Sequence, residues 1–234
     1  MKKKLLLLAI AVLCLGTFAS ADNFVTYATR AAQNPTDIID WTQLGPDFSI
    51  SGTTLPSPSR VSSFGGNLAL VGDINGGDFL RLDEGISWSG NFDFGESLVW
   101  TGNPNFGIGG GGPFAIVLQH PVQSVGFGIQ TDLFGPFTAS VDLFDIHHNL
   151  LGSFSFNGDS EFTEAGDNLF IGLGDTTANN IASILISTDS GDPLYANDFV
   201  IDDPSFTTPE PSSLALLGSG LLGVVGVIRR KLVN

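Results

Sequence analysis

VQSVGFGIQTDLFGPFTASVDLFDIHHNLLGSFSF, residues 122–156, is the stretch that decides the fold class. Within 122–130, Val125, Phe127 and Ile129 fall on one face of an extended chain. Within 138–146, Val141 and Leu143 do the same. His147-His148-Asn149 makes a polar turn, and 150–156 returns with Leu151, Ser153 and Ser155 alternating against Leu150, Gly152, Phe154 and Phe156. Period-two alternation on both sides of a short turn predicts a β-hairpin.

The same text runs outward in both directions. Upstream, 67–71, 79–82, 86–88, 97–100 and 114–118 are short apolar or alternating runs separated by Gly, Asn, Asp and Pro. Downstream, 169–173, 181–187 and 198–206 read as further strands. Short strands at roughly ten-residue spacing, with turn residues between them, predict a two-sheet sandwich or a barrel. The abundant phenylalanine, 19 residues, is read as filling between sheets. Residues 22–58 are mixed: 24–30 and 37–44 suit a strand or a turn of helix, and Pro46, Pro56 and Pro58 keep the backbone beyond Leu44 irregular. Gly109–Gly112 lacks the strand–turn–helix setting of a phosphate loop and is read as a flexible turn or linker.

The two ends read as processing segments. Lys2, Lys3 and Lys4 precede the apolar run Leu5–Leu15 and the small-residue stretch Ala19-Ser20-Ala21, the pattern of a secretory signal peptide cut after Ala21. Cys14, the sole cysteine, leaves with it, so no disulfide or thiolate chemistry is expected of the mature chain. Between Asp22 and Thr208 three arginines (Arg30, Arg60 and Arg81) stand against 23 acids, a formal charge of −20. Nucleic acid is excluded as a partner, because binding it takes cations against phosphate. A domain this acidic repels itself unless salt or divalent cations screen it.

At the other end, Pro209-Glu210-Pro211 is followed by Ser212-Ser213, the apolar run Leu214–Ile228 and Arg229-Arg230-Lys231. A helix over Ser212–Ile228 is about 25 Å long, short but sufficient to span a bilayer if the arginines snorkel. The cations hold that end in the cytoplasm, which leaves the domain outside, in agreement with the signal peptide. This tripartite tail resembles the PEP-CTERM sorting signal of Gram-negative bacteria. The resemblance implies recognition of Pro209, Glu210 and Pro211 by a membrane-embedded transpeptidase, exosortase, and retention near extracellular polysaccharide. Asp40–Pro46, Val125–Ile129, Phe170–Leu173 and Phe199–Asp203 are similar to motifs of the domains found ahead of such tails. That likeness implies a jelly-roll sandwich shaped like a carbohydrate-binding module. The expected organisation is therefore a signal peptide (1–21), one all-β, jelly-roll-like β-sandwich domain (22–206) and a sorting tail with its transmembrane helix (207–234).

Catalytic patterns are sparse. There is no Gly-x-Ser-x-Gly elbow. His120, His147 and His148 lack the companions a zinc site needs. The acid pairs Glu161 with Glu164 and Asp142 with Asp145 are read as solvated surface in so acidic a chain. Calcium fits better, since hard cations take loop carboxylates and carbonyls. Its candidate ligands are Asp202 and Asp203, or Asp73, Asn75, Asp78 and Glu84, whose spacing partly mimics an EF-hand loop but lacks the glycine and the helices. The reading is a non-enzymatic, exported surface or matrix protein. One rival is a carbohydrate-active hydrolase or lyase, which predicts a groove lined with Trp41, Trp88 or Trp100. The other is an unprocessed, tail-anchored periplasmic membrane protein.

Overall fold

The computed structural model describes residues 23–102, 110–163 and 166–208. The expected signal peptide and its cleavage point lie outside these residues, as do Pro209-Glu210-Pro211, the apolar run and the basic end.

The chain is mostly β, in two antiparallel sheets. The first has the order β1 (Phe24–Tyr27), β11 (Leu169–Asp175), β8 (Ser124–Thr131), β13 (Phe199–Ile201), β6 (Ser97–Trp100), β5 (Leu80–Asp83). β14 (Ser205–Thr207) also pairs with β8, and β2 (Asp37–Ile38) pairs with β14. The second sheet has the order β10 (Leu150–Ser160), β9 (Gly135–Phe144), β12 (Ile181–Asp189), β7 (Phe114–Val122), β4 (Leu68–Asp73), β3 (Ser59–Ser62). Their inner faces share one core. Val125, Phe127, Ile129, Ile171, Leu173, Phe199 and Ile201 come from the first sheet, and Val71, Phe114, Ile116, Val141, Leu143, Ile184 and Ile186 from the second. The faces predicted for β8 and β9 are the faces that are buried. The arrangement is a β-sandwich.

The helical turns α1 (Arg30–Gln33) and α2 (Phe48–Ser51) pack on the first sheet and, with residues 84–96, cover its outer face; the 3₁₀ turn Trp41–Leu44 packs against β5 and β6 with Trp41 in the shared core. Leu80, Leu82, Trp88, Phe92, Leu98, Trp100 and Val200, with Phe48 against them, form a second small core on that outer face. The outer face of the second sheet carries no such layer among the described residues.

Three expectations need correction. Residues 86–88 are a turn, not a strand: the amides of Ile86, Ser87 and Trp88 all donate to the Asp83 carbonyl. The last strand is broken into β13 and β14 by Asp202–Pro204. In β10, a bulge between Leu150 and Gly152 inserts Leu151 and exchanges the faces of the first two residues. Leu151 therefore packs on the core with Phe154 and Phe156, and Leu150 is 56% exposed.

Candidate functional site

The break in the last strand is the most constrained point in the domain. Asp202 interrupts the β8 ladder, and its carboxylate takes over as acceptor: Gly128 N donates to Asp202 Oδ1 at 2.7 Å. Arg30 Nη2 pairs with Asp202 Oδ2 at 2.7 Å, and Nη1 donates to the Asp203 carbonyl at 2.8 Å. Arg30 also lies 5.8 Å from the Phe170 ring centroid. Asp203 Oδ1 accepts the Trp41 amide at 2.7 Å, and Trp41 Nε1 donates to the Asp202 carbonyl at 2.8 Å. Burial pushes Asp202 up, against the pull of Arg30 and the Gly128 amide. Asp203 is pushed up to about 7 by burial, aided by Asp40 and Asp202 and opposed by the Trp41 amide. Glu96 is pushed up to about 7 by burial and by the negative charge of Asp202. The two aspartates read as calcium ligands are thus occupied by a guanidinium and by backbone donors. Calcium here must displace Arg30.

β14 comes immediately after this break. It lies between β8 and β2, so it is an interior strand. Gln33 Nε2 donates to the Ser205 carbonyl at 3.1 Å, and Thr208 N donates to Thr36 Oγ1 at 3.0 Å. The chain is held in the sheet up to the residue before Pro209.

The second calcium candidate is dispersed. Asp73 ends β4 in one sheet, and Glu84 comes just after β5 in the other. Glu84 is buried and accepts the Gly90 amide at 2.8 Å. Asp78 accepts the Thr54 hydroxyl at 2.7 Å. Only Asp73 and Asn75 remain together: Asp73 Oδ1 accepts the Asn75 amide at 2.6 Å, and Asn75 Nδ2 donates to the Gly111 carbonyl at 3.0 Å. Gly110–Gly112 is not a free linker. A Cβ on Gly110 would meet the Asn197 carbonyl, and one on Gly111 would meet Asp73 Oδ2. Among the described residues no three His, Cys, Asp or Glu side chains are placed to hold a metal.

The three tryptophans do not share one groove, although Trp88 and Trp100 together line a concavity of about 300 Å³ with Phe48, Ser87 and Asp132. Trp41 is sealed between the sheets. Trp88 and Trp100 belong to the outer small core, and Trp100 Nε1 donates to Asp198 Oδ1 at 2.7 Å. His147 and His148 sit at the β9–β10 turn, where Asp145 receives the His147 amide at 2.8 Å. Glu164 lies outside the described residues.

A concavity of about 510 Å³ opens where the first sheet meets the edge strand β10. Tyr27, Phe156 and Phe170 supply aromatic surface, and Asp159, Glu161, Asp167, Asn91 and Asn168 supply polar groups. Asn91 organises it. Its Nδ2 donates to Asp167 Oδ1 at 2.8 Å, its Oδ1 accepts the Glu161 amide at 2.7 Å, and its own amide donates to Gln130 Oε1 at 2.7 Å. The Asn91 bond holds Asp167 below the ordinary carboxylate range. Half-exposed aromatic faces beside fixed acceptors suit a polyhydroxylated ligand. Sequence reasoning missed Asn91, Gln130, Gln33 and Arg30. The outward glycines Gly126 and Gly128 were the available signal: a Cβ there would meet Gln33 and Phe170, or Asn168 and Asp202.

Residues 207–231 match the PEP-CTERM protein-sorting motif. The tail thus marks an exported, extracytoplasmic protein sorted by an exosortase. No curated protein matches the chain. Among solved structures, it is similar to a DUF4465 family protein from Bacteroides caccae, at 8% identity and a TM-score of 0.36, covering 82% of this chain and 96% of that one. No helix among the described residues is long and apolar enough to cross a membrane.

Proposed function

We propose that this is a non-enzymatic surface or matrix protein, cut at Pro209–Pro211 and kept near extracellular polysaccharide by its sandwich domain. The observation that carries the reading is the junction. The sorting motif begins at Thr207, the last residue of β14, and among the described residues the final hydrogen bond from the domain to the chain is at Thr208. A cut at Pro209–Pro211 therefore leaves every described strand in place. At the other end, Thr176 donates to the carbonyl of Asn23, the second residue after the expected signal cleavage.

The polysaccharide part rests on the groove around Asn91. Asp167, held low, is an acceptor for hydroxyls and the opposite of a general acid, whose pKa must be raised. Glu96 and Asp203, which are raised, line no part of that groove. Burial removes Trp41 from the aromatic lining that a glycan hydrolase or lyase was expected to use; Trp88 and Trp100 line a separate concavity with Asp132, a carboxyl that burial pushes up. Calcium at Asp73 and Asn75 belongs to the same reading, and a rise in melting temperature on adding calcium is its test.

Intact mass of the protein from separated cell fractions tests the sorting. A mass running from Asp22 to the Pro209–Pro211 region, outside the inner membrane, is expected. A mass retaining 212–234 and confined to the inner membrane overturns the reading in favour of a tail-anchored periplasmic protein. Affinity electrophoresis in the host's polysaccharide tests the groove: retardation that Asp167→Ala abolishes is expected, and mobility unaffected by the polysaccharide refutes the ligand.

A further inference from the structure

The outward row across the second sheet can be traced residue by residue through its registers. Arg60 pairs with Leu70, Leu70 with Val117, Val117 with Ser183, Ser183 with Phe144, and Phe144 with Leu150. Leu70 is 42% exposed, Val117 38% and Leu150 56%. Leu68, on the same face of β4, lines with Arg60, Leu70 and Val117 a shallow depression of about 390 Å³. The row thus lays an apolar band across β4, β7, β9 and β10, with Ser183 on β12 within it and Arg60 on β3 at its end.

This band lies on a domain of formal charge −20. Of the three arginines, Arg30 is paired with Asp202 and Arg81 with Asp83. Arg60 is exposed and, among the described residues, has no ion pair. It stands at the β3 end of the band. Asp142, which also has no ion pair among the described residues, projects from β9 near the opposite end.

We propose that a second copy of this chain covers this face. The strand order is β10-β9-β12-β7-β4-β3, with its midpoint between β12 and β7. A two-fold axis parallel to the strands at that midpoint sets β3 of one copy over β10 of the other, β4 over β9, and β7 over β12. Leu70 then meets Phe144 and Val117 meets Ser183. Arg60 comes over Leu150, one strand and two residues from Asp142, within reach of an extended arginine. Symmetry makes that ion pair twice, as an isologous interface requires. The contact area suffices. Six strands about 4.8 Å apart span about 29 Å, and strands of about eight residues run about 27 Å, so the face offers about 800 Å². A standard interface takes about that much per partner. The outward face also carries Asp142, Asp159 and Asp189, away from the apolar row, so salt is needed to screen the two copies.

The test is sedimentation equilibrium on the protein purified from whichever cell fraction carries it, at about 0.5 M salt, where repulsion between acidic surfaces is screened. A dimer is expected. Val117→Glu should weaken it about a hundredfold, and Arg60→Glu and Asp142→Arg should each weaken it about tenfold. The combined Arg60→Glu, Asp142→Arg chain should regain most of the loss, because the two charges exchange places across the axis. All the substituted side chains point outward, so an unchanged circular dichroism spectrum and melting temperature certify each variant's fold. A monomer at about 100 μM overturns the proposal, as does a dimer indifferent to Val117→Glu, which would place association in the tail. A charge-swapped pair weaker than either single variant overturns the arrangement. Binding of the unmodified protein, as a monomer, to zwitterionic vesicles in place of dimerisation would assign the face to a membrane and overturn it too.

Discussion

Replacing Arg30 by methionine is the sharpest test of how the last strand is held. The substitution keeps the apolar stem but removes the charge that faces Asp202, a carboxylate whose side chain is 6% exposed. It also removes the donor to the Asp203 carbonyl. Breaking a buried pair by deleting one partner costs about 3–5 kcal/mol, because the other charge is left in a low dielectric. Arg30 is itself 30% exposed, so the lower end, about 3 kcal/mol, is expected. For a domain of this size that is a fall of about 6–12 °C in melting temperature. The loss has a pH signature. Without Arg30 the Asp202 carboxyl is pushed further up, and a carboxyl raised in the folded state gives stability that is present at acid pH and lost as pH rises. Urea unfolding should therefore show the full penalty at pH 8 and a much smaller one at pH 4. A loss under about 1 kcal/mol at pH 8, or an equal loss at both pH values, would refute the reasoning. Restoration of the variant by calcium would revive the metal reading of Asp202 and Asp203.

Four further outcomes are expected. In the unaltered protein, Asp203 and Glu96 are both raised to about 7, so their contribution is complete near pH 4 and lost as pH climbs through 7; chemical denaturation from pH 4 to pH 8 should show the decline, and Asp203→Asn should flatten it. Gly110→Ala should cost about 1–3 kcal/mol, since its Cβ meets the Asn197 backbone, and Gly111→Ala less, since the Asp73 side chain it meets can turn away; thermal melts of the two variants compare them. Asp47 is buried and receives the Ser49 and Asp83 amides at 2.7 and 2.6 Å, so Asp47→Ala should cost about 2–3 kcal/mol and loosen α2 over the outer core, read as faster hydrogen exchange at Asp83. Pro209→Ala with Pro211→Ala should leave the melting temperature unchanged and shift the protein to the membrane fraction, because both prolines come after β14, the last described strand.

Inward-facing alternation was legible because it is a local property: Val125, Phe127 and Ile129 bury wherever β8 sits in the sheet order. The tail was legible for a related reason, since its signal lies in the order of motif, apolar run and basic end along the chain. The sequence hid the features that depend on a partner distant in the chain. Asp202-Asp203 reads as a cation site until α1, more than 170 residues away, delivers a guanidinium to it. Asp73 and Glu84 have a ligand-like spacing, but the chain crosses between sheets inside that interval. The β10 bulge could not be read from β10 alone, because two-against-one pairing is a property of two strands.

The glycines of β8 and β11 link these cases. Gly126, Gly128, Gly172 and Gly174 all face outward from the first sheet, and a Cβ at each would strike Gln33, Asp202, Asn168 or Tyr27. A strand loses stability with each glycine unless something packs against the bare backbone. At Gly126 the neighbour is Gln33 of the covering turn α1, whereas at Gly172 and Gly174 it is Tyr27 of the neighbouring strand β1. The second sheet shows the contrast: its outward positions on β4, β7 and β10 carry Leu68, Leu70, Val117 and Leu150, side chains that occupy the space themselves. One outer face is shaped to receive its own chain. The other keeps full side chains, as a face built to meet a separate surface requires.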